Sequence, residues 1–143
     1  MSTTQSVAIQ QMLKNWNQAI KDKNLAAIGE HYSSDVRAFD AVGPLQFEGK
    51  EAYLAHWKAC TEMCAGDTLF EMQEPHLELA DSIAFGHFLC HCGGPDEKGE
   101  MHQSWMRVTQ CYRKQNGRWL IAHEHFSLPF DPYTGNTVFD LTP

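Results

Sequence analysis

The chain has 143 residues, 43% of them hydrophobic and 20% charged, with a formal net charge of −7. That is enough apolar material for one domain, 1–143, with its own core, and the acidic balance argues against nucleic acid or an anionic membrane as partner. No stretch is apolar over the length of a membrane span, and the opening MSTTQSVAIQ lacks the charged-then-apolar pattern of a secretory leader.

Five cysteines are an odd number, and they lack the spacing of a small disulfide framework. Cys60, Cys64, Cys90, Cys92 and Cys111 are therefore expected to be reduced, in a cytoplasmic protein. From about Ser6 to Lys21 the apolar residues Ile9, Leu13, Trp16 and Ile20 recur at helical spacing and form one stripe. Asp22-Lys23-Asn24 breaks the pattern. Asn24 is placed to cap a shorter second helix, with Leu25, Ile28 and Tyr32 on its buried side. Ser33-Ser34-Asp35 leads into a strand, Val36 to Phe39, that ends on Asp40. Gly43-Pro44 turns the chain, and Leu45 to Phe47 returns as a short arm.

Gly49 precedes a third helix, roughly Lys50 to Met63, whose stripe is Tyr53, Trp57, Cys60 and Cys64. Strands follow: Leu69 to Leu79 with a break near Pro75, then Ile83 to Cys92, then a hairpin. Its arms are Met106 to Tyr112 and Trp119 to Leu128, and Asn116-Gly117 between them tolerates positive φ. Strict alternation on the second arm puts Trp119, Ile121, His123, His125 and Ser127 on one face. The other face then carries Leu120, Ala122, Glu124, Phe126 and Leu128. Helices first and an antiparallel meander second predict an α+β domain.

Two carboxylates stand out. Asp40 ends a strand beside apolar residues, and a carboxylate in an apolar cavity gains proton affinity, as a general base requires. The alternative is an exposed turn aspartate before Gly43-Pro44. Glu124 sits among apolar neighbours, either as a pocket wall or as a surface glutamate on a solvated sheet face. His123 and His125 form an H-x-H pair that could ligate a metal with His91 or His102. A structural role is preferred, because a metal needs further ligands converging on it. No metal or cofactor is expected. Cys60 and Cys64, one helical turn apart without an adjacent base, read as inert thiols.

The pattern Gly117, Trp119, His123, His125, Ser127 and Pro129, with Thr109 upstream, resembles the SnoaL-like branch of the nuclear transport factor 2 (NTF2-like) superfamily, which includes ketosteroid isomerase. It is also similar to the association domain of calcium/calmodulin-dependent protein kinase II. Ala38-Phe39-Asp40, Glu48-Gly49 and Pro75-His76 fall where such domains have comparable residues, so the resemblance spans roughly the whole chain. It implies a cone of three N-terminal helices packed on a strongly curved antiparallel β-sheet.

By the same resemblance the cone would hold a small apolar or carbonyl-containing molecule without a cofactor, with Asp40 at the proton-shuttling position. Trp16 falls where the isomerase has its oxyanion-stabilising tyrosine, and Thr109 near its acid. Steroid isomerisation itself is therefore not expected. The association domain's pocket arginines fall on His87, Gln110 and Phe126, with Arg107 a possible replacement for the lost charge. The resemblance thus implies Asp40 and Glu124 as catalytic residues and Trp16, Phe39, Trp57, His87, Arg107, Gln110 and Phe126 as ligand contacts. The two relatives disagree on which face of the 105–112 strand lines the cavity. Two functions follow: an isomerase-like enzyme moving a proton with Asp40 as base, or a non-catalytic binding or association module. A homodimer is expected, paired through the face bearing Trp119, Ile121, His123, His125 and Ser127. The apolar tail, Phe130 to Pro143, should pack over the sheet, the cavity mouth or the neighbour.

Overall fold

The apolar stripe of the N-terminal segment becomes α1, Thr3–Lys21, in a computed structural model that describes residues 3–143. Ile9, Leu13, Trp16 and Ile20 are all buried, as their spacing requires. The Asn24 side chain accepts a hydrogen bond from the Ala27 amide at 3.1 Å and so starts α2, Leu25–Gly29. Gly49, at φ 91°, makes the left-handed turn into α3, Lys50–Met63. Tyr53 and Trp57 bury along the predicted stripe of α3.

Seven strands make one curved sheet: β1 (Tyr32–Phe39), β2 (Phe47–Glu48), β3 (Leu69–Met72), β4 (His76–Leu79), β5 (Ile83–Pro95), β6 (Met101–Gln115) and β7 (Arg118–Ser127). Their order is β2-β1-β7-β6-β5-β3, with β4 also paired to β5. The predicted break at Pro75 separates β3 from β4, which pair with successive parts of β5. Proline has no N–H to give a ladder, so it fits such an interruption. Asn116 (φ 52°) and Gly117 (φ 79°) close the β6–β7 hairpin with the positive angles expected of that pair. All pairings are antiparallel except β1 with β7, which run parallel. That pairing brings the end of β1, and Asp40 after it, beside the last strand.

Helices cover one face, and the buried side chains form one cluster from Ile9 to Phe126. Aromatic rings fill its centre. Trp16 meets Phe70 edge-on at 5.4 Å, Trp57 at 6.4 Å and Phe88 at 6.5 Å between centroids, and Trp57 meets Phe126 at 6.3 Å. Each such pair adds on the order of 1 kcal/mol beyond the area it buries.

One expectation is overturned. Strand β7 does not alternate strictly, because its register against β6 steps from Tyr112↔Ile121 to Cys111↔His123 and leaves Ala122 as an extra residue. This is a β-bulge, and it swaps the faces of the side chains on either side of it. Trp119 and Ile121 therefore turn inward and are buried, as are Glu124 and Phe126 beyond the bulge. They cannot belong to an outer contact face, which retains His123, His125 and Ser127. On β6, Val108, Gln110 and Tyr112 point to the helices while Arg107 and Thr109 are exposed, so the even-numbered face lines the interior. The tail folds back through a Phe130↔Thr137 bridge, with Phe130, Tyr133, Phe139 and Leu141 exposed.

Candidate functional site

Glu124 is fully buried, brought inward by the Ala122 bulge, and three side chains donate to it. The Tyr32 hydroxyl lies 2.9 Å from Oε2, the Tyr53 hydroxyl donates to the same oxygen, and Gln110 Nε2 donates to Oε1 at 2.7 Å. Two more groups stand behind them: Trp16 Nε1 donates to the Tyr32 hydroxyl at 2.9 Å, and the Tyr112 hydroxyl donates to Gln110 Oε1 at 2.7 Å. Burial pushes the Glu124 carboxyl up to about 7, against the pull of Tyr53, Gln110 and Tyr32, with a smaller push from the Asp40 charge. Desolvation wins over three hydrogen bonds. The same burial, with the Glu124 charge beside them, holds the Tyr32 and Tyr53 hydroxyls well above the usual phenol range, so both stay protonated donors.

Asp40 stands just beyond β1, where its Oδ1 accepts the Ala41 amide at 2.8 Å and its Oδ2 contacts His56 Nε2. A carboxylate can only accept, so Nε2 carries the proton. His56 comes from α3, and its ring is held by stacking on Phe47 at 4.3 Å. Both side chains keep a little exposure, 12% for His56 and 14% for Asp40. Cys60, one turn further along α3, places its Sγ 3.6 Å from the same His56 nitrogen. Burial and the Asp40 charge push the Cys60 thiol up to about 11. It is therefore not a thiolate nucleophile. Nor is this a relay in which histidine bridges thiol and acid, since both partners meet one nitrogen and a relay needs two.

A pocket of about 250 Å³ opens beside Asp40, between the 40–42 loop, the end of β7 (His125–Ser127) with Leu128 after it, and the tail residues Thr137 and Phe139. A larger depression, about 600 Å³, lies by the opposite edge of the sheet between α1 and the β3–β4 segment. It is lined by Lys14, Lys21, Glu71 and Glu74, whereas the smaller one carries Asp40 with His56 behind it.

The residues singled out in the sequence separate by face. Trp16, Trp57, Gln110, Glu124 and Phe126 converge on the interior and are buried there. Phe39, His87 and Arg107 lie on the side away from the helices and do not line that interior. Phe39 packs edge-on against His123 and His125, His87 stacks on His76, and Arg107 Nε donates to Ser127. Each sits one position out of phase with an inward neighbour, as strand alternation dictates. Three functional side chains escaped the sequence reading. Tyr32 and Tyr53 were legible only as members of apolar stripes. His56 could have been found from its spacing of four before Cys60, which puts imidazole and thiol on one helical face.

The family model of the SnoaL-like domain matches residues 9–131. Among solved structures, an NTF2-like protein of unknown function from Pseudomonas putida KT2440 is 42% identical with a TM-score of 0.91, covering 100% of this chain and 99% of that one. A candidate dehydratase of the NTF2-like family from Streptomyces avermitilis is 13% identical at a TM-score of 0.79, covering 91% of this chain and 100% of that one. A candidate calcium/calmodulin-dependent protein kinase II association domain from Xanthomonas campestris is 19% identical at 0.74, covering 83% and 84%. A search of the curated proteins finds no match. With the family model spanning most of the chain and a closely similar fold over its full length, the chain belongs to the SnoaL-like domain family of the NTF2-like superfamily.

Proposed function

We propose that this protein binds a small carbonyl-containing molecule in the pocket beside Asp40 and moves a proton on it, with Asp40 as the base. The observation that supports this most is the Asp40–His56 pair at the edge of a pocket of about 250 Å³. Asp40 lines the pocket and His56 stands behind it, so the carboxylate meets the substrate while the imidazole fixes its orientation and shares its charge. Phe126, Leu128, Val42 and Phe139 give the pocket an apolar side suited to a hydrocarbon body. Glu124 does not touch this substrate. Its oxygens are saturated by Tyr53, Tyr32 and Gln110, and its role is to hold α3, β1 and β6 in place around the dyad.

The test is exchange of α-protons for deuterium in a panel of apolar ketones and aldehydes, followed by NMR. Wild type should accelerate exchange of at least one compound. Asp40→Asn should remove on the order of 100-fold or more of that rate, and His56→Gln a smaller part. Equal rates for wild type and Asp40→Asn would transfer the protein to the second reading, a non-catalytic association module. That reading is favoured by the face away from the helices, where Ile83 (65% exposed) and Phe85 (47% exposed) stand beside the stacked His76–His87 pair. A homodimer through that face is compatible with either reading.

A further inference from the structure

Asp40, His56 and Cys60 bring an oxygen, a nitrogen and a sulfur to one place: Asp40 Oδ2, His56 Nε2 and Cys60 Sγ all lie within 4.8 Å of one another. We propose that these three side chains form a binding site for a thiophilic divalent cation, of the zinc or cobalt class, whose fourth position opens to the pocket beside Asp40.

The geometry carries this in three ways. Zinc sits about 2.0 Å from a histidine nitrogen and about 2.3 Å from a thiolate, which at a tetrahedral angle separates those two atoms by about 3.5 Å. The Cys60 Sγ to His56 Nε2 separation is 3.6 Å. The helix sets that distance, because positions four apart on α3 project side by side, and the ring is held by Phe47. Oxygen and nitrogen ligands of one tetrahedral ion lie about 3.4 Å apart, so the Asp40–His56 contact must widen to admit the ion. Asp40 lies just past the end of β1, at the start of the loop 40–46, so a shift of its carboxylate disturbs no ladder.

The second argument is charge. A carboxylate and a thiolate neutralise a divalent ion, which suits a site where His56 and Asp40 keep only 12% and 14% exposure. A coordinated thiol loses its proton to solvent, and the His56 proton moves from Nε2 to Nδ1 to free the ligating lone pair, so one net proton leaves as the metal enters. The third is support around the ligands. Asp40 Oδ1 accepts the Ala41 amide, which holds the carboxylate so that Oδ2 can exchange its His56 contact for the cation, in the way outer hydrogen bonds orient carboxylate ligands. Three protein ligands with an open fourth position are the arrangement of catalytic zinc sites. His123 and His125, the pair that suggests a metal in the sequence, take no part. His123 Nδ1 is bonded to the Arg37 carbonyl and both rings pack on Phe39.

The site shares Asp40 and His56 with the acid–base reading but does not rest on it, because the metal titration needs no substrate. The probe is Co²⁺ added to the purified chain under reducing conditions, followed by visible and near-ultraviolet absorption. One Co²⁺ per chain should produce a sulfur-to-metal charge-transfer band and the intense d–d bands of a four-coordinate ion, and Zn²⁺ should displace both. Cys60→Ser should abolish the charge-transfer band, and His56→Gln should weaken binding at least tenfold. Circular dichroism of each variant verifies that it is folded, and Cys60→Ala serves if the serine form is not. Absence of a charge-transfer band in wild type would overturn the proposal. So would a band that survives in the Cys60 variants, since the sulfur would then be another cysteine. Absence of α-proton exchange in the metal-free chain, with Co²⁺ binding intact, would sink only the acid–base reading.

Discussion

Glu124 is a carboxylate buried completely, against its preference for charge, and its titration makes a prediction. Its folded carboxyl is pushed up to about 7, above the ordinary glutamate value of 4.5, because burial disfavours the charge. Between those values the folded state binds more protons than the unfolded one, so stability falls as pH rises through that window. The contribution is fully present below about pH 4.5 and lost by about pH 7, an effect of roughly 3 kcal/mol. Urea denaturation across pH 5 to 8 should show that decline, and Glu124→Gln should flatten it. Tyr53→Phe should cost about 1.5–3 kcal/mol, since it deletes a donor to a buried carboxylate, and should move the Glu124 titration upward. An unchanged urea midpoint in Tyr53→Phe would show that the bond carries no stability. At this scale the sequence was half legible. A carboxylate among apolar neighbours, and an aspartate at a strand end, both announce themselves by composition. Their partners do not: Tyr32 and Tyr53 lie 92 and 71 residues from Glu124, and only the folded topology brings them together.

Helices and strands were more legible because their signals are local. The stripes of α1 and α3, the Asn24 cap and the Asn116-Gly117 turn each need only neighbouring residues, and each forms where its pattern stands. Gly117 gives a clean test of that turn, since a Cβ there would meet no atom within 4 Å. Gly117→Ala should therefore cost only the strain of its φ of 79°, about 1–2 kcal/mol by thermal denaturation. A larger loss would mean that the turn does more than close the hairpin. The bulge at Ala122 was not legible, because it is set by pairing on both sides of β7. Strand β6 is out of register there, and β1 shifts at the same place, from Tyr32↔Ile121 to Arg37↔His123. The two shifts coincide, so the inward turn of Ile121 and Glu124 belongs to the whole sheet. Ile121 is fully buried in consequence. Ile121→Ala should cost about 2–5 kcal/mol and leave the mass in solution unchanged. A small cost accompanied by a change of mass would return Ile121 to an outer contact.

At the scale of the whole molecule, the question is what covers the sheet face that no helix covers. Strand β5 alternates inward Ala84, Gly86 and Phe88 with outward Ile83, Phe85 and His87, and Ile83 and Phe85 are about half exposed or more. Around them the cross-strand neighbours are Glu78 and Cys111 beside Phe85, and His76 and Thr109 beside His87. Two stacked pairs, His76 on His87 and His91 on Trp105, stiffen this surface and limit the side-chain entropy lost on contact. Aromatic side chains with few charges are the mix enriched at the centre of protein interfaces, and a two-fold contact lets one such patch meet itself. Each chain carries a net charge of −7, so two copies repel. Salt screens that repulsion, with a screening length of about 8 Å near physiological ionic strength, and the contact should tighten as salt is added. Light scattering at micromolar concentration should give about twice the 16.3 kDa of one chain. Phe85→Asp should return the mass to a single chain with an unchanged circular dichroism spectrum, because the side chain is outward and the fold does not need it. A wild-type mass of one chain would refute the pairing. A dimer that survives Phe85→Asp, or that loosens with salt, would put the contact on another surface, where charge attracts.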